Sequence, residues 1–297
     1  MKNNTVKLLG LLAVLVVVYL IMTFTGDKSR SKSFRTELVS IDTASVTRVV
    51  IESPTESTEV TKDGEGWQVA LPDGSMKSAV ASAVSNLLTS LEGIKPTRIV
   101  ARTENKWKDY SVDSTGTRVK IYEGNKNTLD LIIGRFGVEN QRQFYTHVRL
   151  AEENDVYIAN DFMGISIAKS ANDFRNGSLL RLKQDSLTQI SFNYPDSAFS
   201  LYKNDARWST NAFEADSANV ASYLQGLSFV SSKNFADGAG LSTPDLNVTF
   251  SFSNQPEIQI SAYQQDGNWI LQSSENTDEY FTDAAVFEKI FKGAAVL

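Results

Sequence analysis

The chain has 297 residues, 41% hydrophobic and 22% charged, which are globular values with room for one large domain or two of ordinary size. Residues 1–35 hold six Lys or Arg and one acid, which leaves 23 basic and 34 acidic side chains, a net charge of −11, on the remainder. A domain that acidic repels phosphate backbones and excludes nucleic acid as a partner, and the lack of cysteine excludes a disulfide framework, a thiolate metal site, a cysteine nucleophile and a lipobox-type lipid anchor.

The first predicted element is Leu8–Phe24 (LLGLLAVLVVVYLIMTF), an uncharged run. As a helix it is about 25 Å long, close to the ~30 Å hydrocarbon core once Val6 and Thr25 are added. The run exceeds a usual signal-peptide core, and Thr23-Phe24-Thr25 is a poor small-x-small cleavage site, so residues 1–25 read as an uncleaved transmembrane signal anchor. The expected location is the inner membrane, single-pass through residues 8–24, with the bulk of the chain in the periplasm or otherwise outside the cytoplasm. Lys2 and Lys7 before the run against Lys28, Arg30, Lys32 and Arg35 after it do not favour that orientation, although long domains translocate despite flanking charge. Residues 26–41 form a polar juxtamembrane stalk whose basic cluster faces lipid head groups.

Beyond the stalk the sequence repeats. Val49, Ile51, Val60 and Trp67 recur as Ile190, Phe192, Leu201 and Trp208, each 141 positions later. In both places alternating strands flank a polar turn, Lys62–Gly66 first and Lys203-Asn204-Asp205 second. An amphipathic helix follows. Val84, Leu87, Leu88 and Leu91 stand at i, i+3, i+4 and i+7, and Val220, Tyr223, Leu224 and Leu227 repeat them 136 positions on. Ser75 and Asp216 are the expected N-caps. Then Val119, Ile121, Leu129 and Leu131 recur as Val248, Phe250, Ile258 and Ile260 at an offset of 129. Strands at Phe144–Val148 and Val156–Ile158 and a short helix at Asp161–Ala168 answer to Trp269–Leu271, Tyr280–Thr282 and Ala284–Phe291. A slip of one residue turns a strand's core face to water, so shared parity at every strand is a demanding coincidence. The expected fold is α+β: two tandem repeats, 42–170 and 185–297, each a mainly antiparallel sheet with one amphipathic helix packed on it. Residues 171–184 form a linker that Phe174, Leu179, Leu180 and Leu182 make too apolar to be free. Trp67, Trp208, Leu88 and Leu224 are the candidate structural core.

Several short motifs point to a family. They are Gly64-Glu65-Gly66-Trp67 closing a hairpin, Leu87-Leu88-Thr89-Ser90-Leu91 on the helix, and Tyr110-Ser111-Val112 where Tyr-Gly-Leu is usual. Ala239-Gly240-Leu241 is the second copy's version of that last element. Leu131-Ile132-Ile133-Gly134 ends a strand, and Phe144-Tyr145-Thr146 stands for a Tyr-rich strand. With these the chain resembles the bacterial envelope family catalogued as domain of unknown function 4340, over nearly everything after residue 40. Genes of that family often neighbour ABC-transporter genes, including those of the gliding-motility type. The resemblance therefore implies a transporter-associated envelope subunit, by analogy only.

The search for chemistry is short. His147, the only histidine, reads as a partly exposed strand residue, and no second histidine or cysteine is available for zinc. Ser166 and Ser191 lack a Gly-x-Ser-x-Gly context, and no Walker loop or dinucleotide fingerprint is present. Two acidic turns, Glu152-Glu153 with Asp155 and Glu275 with Asp278 and Glu279, fit solvated turn formers better than a glycosidase pair. The reading is a non-enzymatic, cofactor-free scaffold or accessory subunit of a membrane complex, an ABC-type transporter by the resemblance. The alternative is an envelope glycan- or peptide-binding module using a groove between the repeats. The sequence assigns no interface.

Overall fold

The computed structural model describes residues 35–139, 141–205, 207–210, 215–239 and 243–297. The run at 8–24, residues 26–34 of the stalk and the Gly240-Leu241 pair lie outside them; the rest of the stalk is no free polar segment, since Leu38 and Val39 are buried. No helix of the described residues is long and apolar enough to cross a membrane.

The chain opens with strands β1 (Val46–Glu52), β2 (Ser57–Asp63), β3 (Gly66–Ala70) and β4 (Met76–Ala79), helix α1 (Ala81–Glu92) and β5 (Pro96–Ala101). It continues through β6 (Thr117–Glu123), β7 (Lys126–Glu139), β8 (Gln143–Leu150), β9 (Val156–Asn160) and β10 (Ser178–Arg181). Then come β11 (Leu187–Asn193), β12 (Phe199–Asn204), β13 (Arg207–Ser209), α2 (Ser217–Gly226) and β14 (Phe229–Ser231). Strands β15 (Leu246–Phe252), β16 (Ile258–Gln265), β17 (Asn268–Ser273) and β18 (Asn276–Phe281) and helix α3 (Ala284–Ile290) finish it. The class is mixed α+β, with antiparallel sheets and few helices, as the hydrophobic periodicities require.

Two compact units divide the chain. The first comprises the described residues up to Thr55 and Leu87–Ala168; the second comprises Glu56–Asn86 and Lys169–Leu297. These units differ from the expected boundaries over Glu56–Asn86, which belongs with the later sequence.

In the first unit the strands lie in the order β1-β6-β7-β8-β9-β5. Val49 pairs with Ile121 and Ile121 with Leu129; Ile51 pairs with Val119 and Val119 with Leu131. All six side chains are buried, so one face of three neighbouring strands forms a continuous apolar layer. The turn joining β6 to β7 passes through Gly124 at φ 59°, where a residue without Cβ meets no steric cost.

The second unit holds a seven-stranded sheet, β13-β12-β11-β15-β16-β17-β18, the pair β10–β14, and the ribbon β4-β3-β2. Ile190 pairs with Phe250 and Phe250 with Ile258; Phe192 pairs with Val248 and Val248 with Ile260, and all are buried. Between β16 and β17, Asp266 and Gly267 both take positive φ, 50° and 80°, as a type I′ hairpin demands. Helix α2 lays Val220, Tyr223 and Leu224 into this core. Asp216 caps the helix as expected, taking the N–H groups of Ala218 and Asn219 at 2.8 and 3.1 Å.

Several local expectations change. Ser75 caps no helix: Asp73 accepts its N–H at 2.9 Å and its hydroxyl at 2.7 Å in a turn, and β4 follows before α1 begins. The helix expected at Asp161–Ala168 is reduced to one 3₁₀ turn, Gly164–Ser166. The linker's Phe174, Leu179, Leu180 and Leu182 are buried, and Ser178–Arg181 in it is a strand. Of the four candidate core residues, Trp208, Leu88 and Leu224 are buried, while Trp67 on β3 is half-buried.

Candidate functional site

Two family-type motifs of the first unit, Tyr110-Ser111-Val112 and Leu131–Gly134, meet at one place. A 3₁₀ helix, Glu104–Tyr110, ends at Ser111, whose φ of 54° and ψ of 36° are left-handed. The pattern Tyr-Gly-Leu favours glycine at this position for that reason, since a left-handed residue with a Cβ is strained. The segment then lies against Gly134 on β7. A Cβ there would stand 2.3 Å from the Tyr110 carbonyl oxygen and 2.6 Å from Val112 Cγ1, so the Ile-Gly pair exists to let backbone approach backbone. Gly116 is confined in the same way: a Cβ there would stand 2.5 Å from the Ser111 carbonyl oxygen.

Arg149 on β8 locks this loop. It is 3% exposed. Its Nε donates to the Val112 carbonyl at 3.1 Å, and Nη1 donates to the carbonyls of Leu150, Ala151 and Glu153 at 3.2, 3.0 and 3.0 Å. The guanidinium carbon lies 3.6 Å from the ring centre of Trp107, a cation–π stack, and Trp107 is itself pinned by its Nε1 donating to Asn154 at 3.2 Å. Burial, and next the charge of Arg118, hold the guanidinium below its ordinary pKa, though an arginine stays charged. Its hydrogen bonds run to carbonyls alone: no carboxylate among the described residues pairs with Arg149.

A cleft of about 430 Å³ opens beside it, lined among others by Glu52, Glu104, Trp107, Asp113, Arg118 and Arg149. Arg118 is neutralised by Asp130 through two hydrogen bonds of 2.7 Å, and Glu52 by Lys120 at 2.7 Å. Asp113 is held ionised, because the Thr115 hydroxyl and N–H keep its carboxyl below the ordinary range.

His147 is buried, not partly exposed, because both faces of β8 are covered at that point. Its Nδ1 donates to the Arg135 carbonyl at 2.9 Å, and its ring sits 4.8 Å from Tyr110 and 5.4 Å from Tyr145, centre to centre. Burial lowers its pKa; the Arg135 bond opposes this, and the charges of Arg135 and Arg98 add to the lowering. The imidazole is a neutral packing element. Neither candidate serine is activated. Ser166 donates to the Met163 carbonyl at 2.8 Å, and Ser191 is engaged by Gln189 at 2.7 Å and Ser200 at 3.1 Å.

The acidic turns separate in role. In the first unit Glu153 pairs with Arg35 at 2.7 Å and Asp155 with Arg102 at 3.2 Å, both partly solvated. In the second unit Glu275 accepts the Arg181 N–H at 3.2 Å, but Glu279 lies on β18 and is 3% exposed. It is no solvated turn former: Arg175 Nε and Nη2 donate to its two oxygens at 3.0 and 2.5 Å. Asp237 accepts from Nη1 at 2.9 Å and from Nη2 at 2.6 Å, Asn172 accepts from Nη1 at 3.1 Å, and the Phe235 ring lies 3.8 Å below the guanidinium carbon. This network, invisible in the local sequence, also takes in Lys77, whose Nζ lies 3.6 Å from Glu279, and it fixes the start of the linker to β18. No group of three or more His, Asp or Glu among the described residues is placed to hold a metal ion.

A family profile described as Domain of unknown function (DUF4340) matches residues 77–247. No curated protein matches the chain, and no solved structure does.

Proposed function

Because the chain belongs to the family described as Domain of unknown function (DUF4340), we propose that it is a non-enzymatic, membrane-anchored envelope protein that scaffolds or regulates an ABC-type transporter. The transporter, of the gliding-motility type by analogy, comes from the company the family's genes keep. In this reading residues 8–24 hold the protein in the inner membrane, with the bulk of the chain outside the cytoplasm, and tethering raises its effective concentration beside its partner.

One observation carries the reading: the strand registers repeat at the spacings of the sequence. Val49↔Ile121 and Ile51↔Val119 answer to Ile190↔Phe250 and Phe192↔Val248, and Ile121↔Leu129 and Val119↔Leu131 answer to Phe250↔Ile258 and Val248↔Ile260. Lys62↔Trp67 answers to Lys203↔Trp208. The bulge between Val46 and Arg48 returns between Leu187 and Gln189, again 141 positions on. Bulges and registers are kept within families, so this agreement supports duplication of one α+β unit into copies 42–170 and 185–297. The repeated positions are mostly apolar strand and helix positions. A duplication that keeps packing suits a scaffold better than a catalyst.

Affinity purification of the full chain in mild detergent tests the proposal. Co-recovery of transporter subunits is the expected result, and a chain that emerges alone at near-native expression refutes it. A reporter active only outside the cytoplasm, fused after Leu297, tests the location; an inactive fusion overturns it.

A further inference from the structure

We propose that the Arg149 cleft of the first unit is a binding site for a free amino acid or a short peptide with unblocked ends. The inference rests on that unit alone and stands whether or not the chain accompanies a transporter.

Three features lead to it. The first is Arg149, 97% buried yet without a carboxylate partner among the described residues. Its Nε and Nη1 are consumed by four carbonyls, while Nη2 has no hydrogen-bond partner among them. No side-chain polar atom there is both sealed from solvent and unpartnered, so Nη2 reaches the water of the cleft that Arg149 lines. A guanidinium held this rigidly, stacked on Trp107, presents a donor whose ordering cost is already met by the fold.

The second is size. A volume of about 430 Å³ lies in the ~300–1,000 Å³ range of small-ligand sites.

The third is the charge left over once internal pairs are subtracted. Arg118 is taken by Asp130, and Glu52 by Lys120. What remains on the walls is one cation, Arg149, with Glu104 and the ionised Asp113. A simple anion such as phosphate is drawn by Arg149 but repelled by both acids. A lone cation is attracted by the acids and repelled by Arg149. A ligand with a carboxylate for Arg149 Nη2 and an ammonium for Glu104 or Asp113 pairs the cation and one of the two acids without setting like charges together, and charge-assisted hydrogen bonds are the strong ones.

The test uses the full-length chain in detergent micelles and a pool of unblocked dipeptides, followed by saturation-transfer difference NMR. The strongest binder is then titrated as the free dipeptide, its C-terminal amide and its N-acetyl form, alongside inorganic phosphate. Losing a charged hydrogen bond to Arg149 should weaken the amide by about 10-fold or more. Arg149→Lys should weaken the free dipeptide comparably and leave the amide unaffected. Glu104→Gln, on the exposed rim, should weaken the free dipeptide while leaving the N-acetyl form unchanged. If Arg149→Lys does not fold, the ligand series on the unaltered chain and Glu104→Gln still decide. The proposal is overturned if no dipeptide binds, if the amide binds as well as the acid, or if phosphate competes at equal affinity.

Discussion

Glu279→Gln should destabilise the second unit far more than any other removal of an acidic charge there. The carboxylate is 3% exposed and receives two hydrogen bonds from Arg175, whose side chain is only 1% exposed. Breaking a buried pair by removing one partner costs about 3–5 kcal/mol, because the surviving charge is left in a poor solvent. Arg175 retains Asp237 and Asn172 in the variant, which places the cost near the lower end, about 3 kcal/mol. Asp237→Asn removes the same formal charge from a side chain that is 42% exposed and should cost about 1 kcal/mol or less. The double change Arg175→Met with Glu279→Leu, which removes both buried charges, should recover most of the loss. Urea unfolding followed by tryptophan fluorescence suits the measurement, since Trp67, Trp208 and Trp269 belong to the second unit and only Trp107 to the first. With a slope of about 1–3 kcal/mol per molar urea, a loss near 3 kcal/mol moves the midpoint by roughly 1–3 M. If Glu279→Gln costs no more than Asp237→Asn, the buried-pair argument is wrong.

Other consequences are as direct. Ser111→Gly should stabilise the first unit by roughly 1 kcal/mol by relieving a left-handed Cβ, whereas Ser111→Val should destabilise it; thermal melting with Trp107 fluorescence reads both signs. Gly134→Ala, which drives a methyl to 2.3 Å from a carbonyl oxygen, should cost about 3 kcal/mol, while Gly66→Ala, with nothing nearer than 3.6 Å, should cost well under 1; equal urea midpoints for the two variants would contradict the close-approach account. For His147 the sign follows from its lowered folded pKa. The unfolded imidazole binds a proton first as pH falls, so its contribution is full above about pH 6.5 and is lost as pH drops through that value toward the folded pKa. Stability of the first unit should therefore decline as pH falls below about 6.5, and His147→Gln should flatten that slope; an unchanged slope would show that the imidazole is not the sensor.

The strands and helices that the sequence reveals are those whose signal is local. Alternation around Val49, Val119 or Ile260, and the 3.6-residue stripe of Val84 to Leu91, survive because each side chain's facing is set by the backbone of its own segment. The short strands β4, β5, β10 and β14 escape. Met76–Ala79 and Pro96–Ala101 have no alternation to read and owe their extended form to neighbouring strands. The same distinction governs the candidate sites. Arg175 and Glu279 stand 104 positions apart, and nothing in either neighbourhood announces the other. The Arg149 cleft had a weak signal: Tyr145, His147 and Arg149 share one parity of β8, two charge-capable residues on a strand otherwise suited to burial. The lone histidine draws the eye on this strand, but the more informative residue is the arginine two places on.

The division of the chain also imposes a timetable. Lys77 Nζ donates to the Asp278 carbonyl at 3.1 Å, the Val80 N–H donates to the Phe174 carbonyl at 2.7 Å, and Ala79 bridges Arg175. The first of these contacts joins positions 201 residues apart. At a synthesis rate of about 5–20 residues per second, β4 waits roughly 10–40 s for Asp278 to be made. During that interval β4 lacks these contacts, and an edge strand left open is a condition in which strands pair with the wrong neighbour. A ribosome that stalls late in this gene, or a chain cut after Ala168, leaves that strand waiting indefinitely.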